Sequence, residues 1–123
     1  MPVSLTMTNQ FTNTSAYTFS PSTSSCLEVG SWITPPQPIA LGASGFVAFV
    51  ATGVAGGTVS GVIGVAVYDV MSNGNNVGTL SLSFSDPFDG RNKCSADTTV
   101  AGLVVSCEVP ADGYTITAKW TAT

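Results

Sequence analysis

Histidine is absent from this 123-residue chain, and lysine and arginine together number three. Without imidazole the usual general base near pH 7 is missing. Ser-His-Asp and Cys-His nucleophile arrangements are excluded on that ground. Three basic residues are too few to displace the counterions of a phosphate backbone, so no nucleic-acid partner is expected. The same shortage argues against electrostatic docking on anionic lipid. A zinc site has neither histidine nor a CxxC pair to build on. No glycine-rich phosphate loop with its lysine occurs. Neither a metal nor a cofactor is expected.

Targeting signals are scarce too. The opening MPVSLTMTNQ has no basic n-region and no apolar h-region. The longest apolar-rich run, Gly45 to Val70, is interrupted by glycines, Thr52, Thr58 and Ser60, which predicts no transmembrane segment. The expectation is a chain that stays cytoplasmic or is released without a classical signal peptide. Cysteine is odd in number: Cys26, Cys94 and Cys107. An odd count argues against a disulfide framework. The first reading is three reduced, partly buried thiols. The second is one Cys94–Cys107 bridge across neighbouring strands.

What is abundant is apolar and hydroxyl surface. Hydrophobic residues make up 44% and charged residues 8%. Disordered chains combine low hydrophobicity with high net charge, and this chain does the reverse. Its length suits one domain spanning residues 1–123. Threonine and valine favour pleated, half-buried surfaces, so the composition reads as all-β.

The spacing agrees. Val3, Leu5, Met7 and Phe11 alternate with Ser4, Thr6, Thr8 and Thr12, the period of a strand with one buried face. Tyr17 and Phe19 resume that alternation. Pro35, Pro36 and Pro38 forbid helix and central strand alike, which predicts an extended connection. Phe46 to Ala51 is apolar on both faces and reads as an internal strand. GVAGGT reads as a loop. Val59 to Val70 reads as a long strand whose Gly61 and Gly64 mark bulges or close backbone approaches. Asn73-Gly74 is a strong hairpin signal, with Leu80, Leu82 and Phe84 on the returning strand. Val100 to Val109 is predicted as another strand. On the last, Tyr114, Ile116, Ala118 and Trp120 face one way. Seven or eight strands at this spacing predict an antiparallel β-sandwich.

The stretch SFSDPFDGRNK, Ser83 to Lys93, concentrates the charge. Asp before Pro and Asp before Gly are common turn chemistry. Asp86 and Asp89 are a close carboxylate pair, but a turn-rich segment suits a glycosidase pair poorly. A calcium loop fails on spacing: counted from Asp86, Gly90 falls one position early and the closing Glu is missing. Two readings of this stretch stand, a stapled turn or a polar recognition loop. In the second, Asp86, Asp89, Arg91 and Asn92 bond sugar hydroxyls or a zwitterionic headgroup, with Phe88 or Trp32 stacked beside them. The loop is a site if Trp32 or Tyr68 shares its surface. Trp120 is in phase with the core; Trp32 caps the core or forms a rim with Pro35 and Pro36. The sequon Asn13-Thr14-Ser15 matters only in a secreted chain.

Several short motifs recur in order: Asn13-Thr14-Ser15, Gly30-Ser31-Trp32, Pro35-Pro36, Ile39, Gly42, Gly45-Phe46, Gly56-Gly57-Thr58, Val67-Tyr68 and the 86–92 loop. This order resembles that of the aegerolysin-like proteins and a related group of small bacterial crystal proteins. The resemblance implies a small β-sandwich of the aegerolysin and actinoporin-like kind. It implies binding to membrane lipid, in several cases sphingolipid-rich, and for some members a larger perforin-type partner. Related sandwiches in fungal fruiting bodies are lectins. The expected function is therefore a non-enzymatic binding protein for membrane lipid or glycan, with a cytolytic or defence role. The alternatives are a fungal-type lectin without membrane activity, or a self-assembling structural or crystal protein. A homo-oligomer fits the last of these.

Overall fold

The computed structural model describes residues 3–55, 61–87 and 90–123. Among them are ten strands and no helix. In chain order they are β1 (Val3–Asn13), β2 (Thr18–Pro21), β3 (Cys26–Val29), β4 (Ser31–Thr34), β5 (Phe46–Ala55), β6 (Val62–Ser72), β7 (Asn75–Asp86), β8 (Lys93–Thr98), β9 (Val105–Glu108) and β10 (Thr115–Ala122). They form two sheets. The first has the order β4-β5-β1-β10-β9. The second has the order β2-β6-β7-β8, with β3 also paired to β6.

The sandwich forms because alternate residues of both sheets are apolar. From the first sheet Leu5, Met7, Phe11, Phe49, Ile116 and Trp120 point inward; from the second Phe19, Val62, Tyr68, Val70, Leu82 and Phe84 meet them. Burying each such side chain stabilises the fold by about 1.5–3 kcal/mol before entropy is counted. The expected antiparallel sandwich is found, with one difference. β1 and β10 pair in parallel, Met7 beside Ile116 and Phe11 beside Trp120. A parallel pair needs a long crossover, and here nearly the whole chain is that connection.

The strand count exceeds the expected seven or eight. β2, β3 and β4 are each four residues long and lie at sheet edges; a four-residue run among Ser and Pro gives little periodic signal. Conversely, the strand expected over Val100–Val109 shrinks to β9. A turn at Val100–Gly102, closed by Leu103 N–H donating to the Val100 carbonyl at 3.4 Å, tucks Leu103 into the core. β5 runs on to Ala55, into the GVAGGT segment expected as a loop; residues 56–58 and Val59 lie outside the described residues.

Two glycine expectations are met. Asn73 and Gly74 have φ of 51° and 79°, the pair of positive values that a type I′ hairpin requires. A Cβ on Gly64 would stand 2.7 Å from the Cys26 carbonyl oxygen and 2.6 Å from Leu27 Cδ2, so its glycine is what lets β3 pair with β6.

The cysteines follow the second reading, not the first. Cys94 on β8 and Cys107 on β9 are bridged, Cα to Cα 6.1 Å. β8 edges the second sheet and β9 the first, so the bridge ties the two sheets together. Only Cys26 is free, and it is exposed. The sequon is sealed. Asn13 is buried, its Nδ2 donates to the carbonyls of Tyr17 (2.7 Å) and Ala40 (3.1 Å), and its Oδ1 accepts from Ser15. A glycan on that nitrogen is incompatible with the fold.

Candidate functional site on the outer sheet faces

The 83–93 stretch divides on folding. Asp86 continues the inward phase of β7 and pairs across to Val62. It is fully buried, neither carboxylate oxygen has a hydrogen-bond partner among the described residues, and burial pushes its pKa up to about 7. Asn92 is also buried, and its Nδ2 donates to the carbonyls of Pro110 (3.0 Å) and Gly113 (3.3 Å). That side chain staples the loop to the turn before β10. Arg91 is exposed. Phe88 and Asp89 lie outside the described residues.

Neither aromatic named with this loop lies beside it at an open surface. Trp32 is half-buried and packs edge-on against Phe49 (5.9 Å) and Phe84 (6.1 Å). Tyr68 is fully buried; its hydroxyl donates to the Gln37 carbonyl at 3.0 Å, and burial pushes its pKa up. Tyr68 stands six residues along β6 from Val62, the residue paired to Asp86, roughly 20 Å at strand rise, so the two side chains are well separated along the sheet. Trp32 and Asp86 share the inner side near Phe84. The described members of the set therefore form no common recognition surface.

Exposed chemistry gathers instead on the outward faces of the sheets. On the first sheet, the parallel register of β1 and β10 and the antiparallel register of β10 and β9 align Gln10, Lys119 and Glu108 in one row. Thr12, Thr121 and Ser106 form the next row. Both rows line a depression of about 400 Å³, closed at one end by Ser44 and Gly45. Two local features build it. The β1–β5 register slips between Asn9 and Gln10, as a β-bulge does, and the Gly45 N–H donates to Thr12 Oγ1 at 3.1 Å. That bond occupies an acceptor site of the hydroxyl and leaves its proton free to donate. Below the rows, the buried Trp120 indole donates to Asn9 Oδ1 at 3.0 Å, which fixes β1 against β10.

Lys119 and Glu108 are neighbours across the strands, yet neither side chain makes a hydrogen bond or ion pair among the described residues. An ammonium, a carboxylate, an amide and several hydroxyls thus converge with most of their bonding capacity unspent, Thr12 Oγ1 alone accepting from Gly45. Each hydroxyl of a sugar both donates and accepts, and such a mixed set answers both needs.

On the second sheet the outward face is different. A wider trough of about 1090 Å³ is lined by Ile63, Gly64 and Val65, by Ser83, Ser85 and Ser95, by Glu28 and Lys93, and, from β9 of the first sheet, by Glu108, which also lines the first depression. Cys26 also lines it. Among the described residues no group of His, Cys, Asp and Glu could hold a metal ion. No helix among them is long and apolar enough to cross a membrane.

Sequence reasoning did not find Gln10, Glu108 and Lys119. Strand periodicity places each on an outward face, but their meeting depends on the β1–β10 pairing, which the sequence does not reveal. A scan of protein-family models and a search of curated proteins return no match to the chain. The likeness to aegerolysin-like proteins therefore rests on its motifs alone.

Proposed function

We propose that this protein is a non-catalytic binding module that recognises a glycan in the depression on the outer face of the first sheet. The observation that supports this reading is the row Gln10–Lys119–Glu108 beside the row Thr12–Thr121–Ser106, all lining one depression of about 400 Å³. That volume suits a small ligand or a terminal sugar. The groups are polar and mixed in sign, which favours a hydroxylated ligand over an acyl chain. A glycolipid headgroup presents the same hydroxyls, and this links the reading to the lipid binding that the family resemblance implies.

The test is a glycan array run beside liposomes with and without glycolipid, using the wild type and Lys119→Met. Selective glycan binding, lost in Lys119→Met, supports the reading. Binding to plain phosphatidylcholine vesicles and to no glycan would replace it with phospholipid recognition. No binding to either panel would remove it.

A further inference from the structure

The outward face of the second sheet carries a symmetry of its own. The register aligns Cys26, Val65, Ser83 and Ser95 in one row across β3, β6, β7 and β8. Two residues to either side of that row stand chemically matched positions. On β6 they are Ile63 and Val67, on β7 Ser85 and Ser81, and on β8 Lys93 and Asp97. Lys93 and Asp97 are exposed and unpaired among the described residues.

We infer that this face binds a second copy of the chain about a two-fold axis running along the Cys26–Val65–Ser83–Ser95 row. A two-fold interface is isologous: each residue meets the residue that the axis maps onto it. Rotation about this row sets Lys93 of each copy against Asp97 of the other. It sets Ile63 against Val67 and a serine against a serine. One axis therefore makes two ion pairs and matches apolar to apolar. A protein with a net charge of −4 and three basic residues otherwise offers few ways to bring two copies together without repulsion.

Shape agrees with charge. The trough takes in Ile63, Ser85 and Lys93 but not Val67, Ser81 or Asp97, so it lies to one side of the proposed axis. The rotation lays the Val67–Asp97 side of each copy over the trough of the other, filled side onto hollow side. The Val65–Ser83 row lies three residues from the Val62 and Asp86 ends of β6 and β7, so the rotation overlaps the two faces over about seven residues of each strand, roughly 20 Å by 20 Å. That is roughly 400 Å² per partner, about half of a standard specific interface, the size of a weak and reversible contact. In such a dimer the two glycan depressions point away from each other, which makes the assembly bivalent. The dimer itself does not depend on the glycan reading.

The experiment is sedimentation equilibrium of the full chain over a concentration series. Four proteins are compared: the wild type, Lys93→Asp, the exchange Lys93→Asp with Asp97→Lys, and Lys119→Asp. Lys119→Asp changes the net charge as Lys93→Asp does, but on the opposite face. Circular dichroism confirms that each is folded. The wild type should dimerise reversibly. Lys93→Asp should raise the dissociation constant about tenfold or more, since it turns two attractive contacts into two repulsive ones. The exchange should restore it, and Lys119→Asp should leave it near the wild-type value. Cys26 supplies a second readout. Facing sheets lie about 10 Å apart, beyond the about 4.4–6.8 Å Cα separation of a disulfide, so a short bis-maleimide should link two copies through Cys26. A wild type that is monomeric throughout the series, an exchange that fails to restore association, or absence of the Cys26 cross-link would overturn the inference.

Discussion

The outer faces of the two sheets obey one folding rule and carry different chemistry. Both sheets send alternate residues inward to the same core. Outward, the first sheet presents Thr6, Thr8, Thr12, Thr117 and Thr121 with Gln10, Lys119 and Glu108; the second presents Ile63, Val65 and Val67 among serines. The inward residues make the two sheets interchangeable as architecture. The outward residues make one face suited to a hydroxylated ligand and the other to a second sheet. Under the two proposals, fold is written on the inward phase and function on the outward phase of the same strands.

That contrast can be broken most severely at the element both faces share. The Cys94–Cys107 bridge fixes β8, which carries Lys93 and Asp97, beside β9, which carries Glu108. Replacing both cysteines by serine should cost about 3 kcal/mol of stability and lower Tm by roughly 10 °C. Thermal unfolding checks this, and both binding and dimerisation should weaken together.

Next in size is the buried polar contact beneath the first face. Asn9→Leu leaves the Trp120 indole N–H without its acceptor. A buried donor so orphaned costs about 1–3 kcal/mol. Denaturant unfolding measures the loss, and glycan binding should suffer before dimerisation does, because the change sits between β1 and β10.

Asp86 sharpens the comparison through pH. The folded chain holds its proton up to about pH 7, whereas the ordinary value is 3.8. Across that interval the folded state binds more protons than the unfolded state, so stability falls as pH rises. The loss is complete above about pH 7. Tm should therefore decline between pH 4 and pH 8, and Asp86→Asn should flatten the profile. A profile unchanged by the substitution would show that this carboxyl is not the cause.

Smallest for stability are substitutions on the faces themselves. Lys119→Met and Lys93→Asp should each change unfolding free energy by less than about 0.5 kcal/mol. Their effects belong to one face each: Lys119→Met to ligand binding, Lys93→Asp to association.

The inward phase was legible in the sequence because a core imposes strict periodicity. Leu5, Met7 and Phe11, the Asn73-Gly74 hairpin, and Ile116, Ala118 and Trp120 all sit where alternation and turn chemistry put them. The short edge strands were hidden because four residues carry too little period. The parallel β1–β10 pairing was hidden because nothing local distinguishes it from an antiparallel one. That pairing brings Gln10 to Lys119, so the candidate site was illegible for the same reason. The 83–93 stretch drew attention by its charge, yet Asp86 and Asn92 are turned inward by the phase of β7 and by the Pro110–Gly113 carbonyls. Charge density along the chain marks polar residues, not the direction in which they point.

The most direct test of the two-face account is calorimetric titration of the best array glycan into the wild type, Lys119→Met and Lys93→Asp. With the ligand on the first sheet, Lys119→Met loses binding while Lys93→Asp keeps it. Loss in Lys93→Asp with binding retained in Lys119→Met would contradict it, and would move the ligand to the trough of the second sheet.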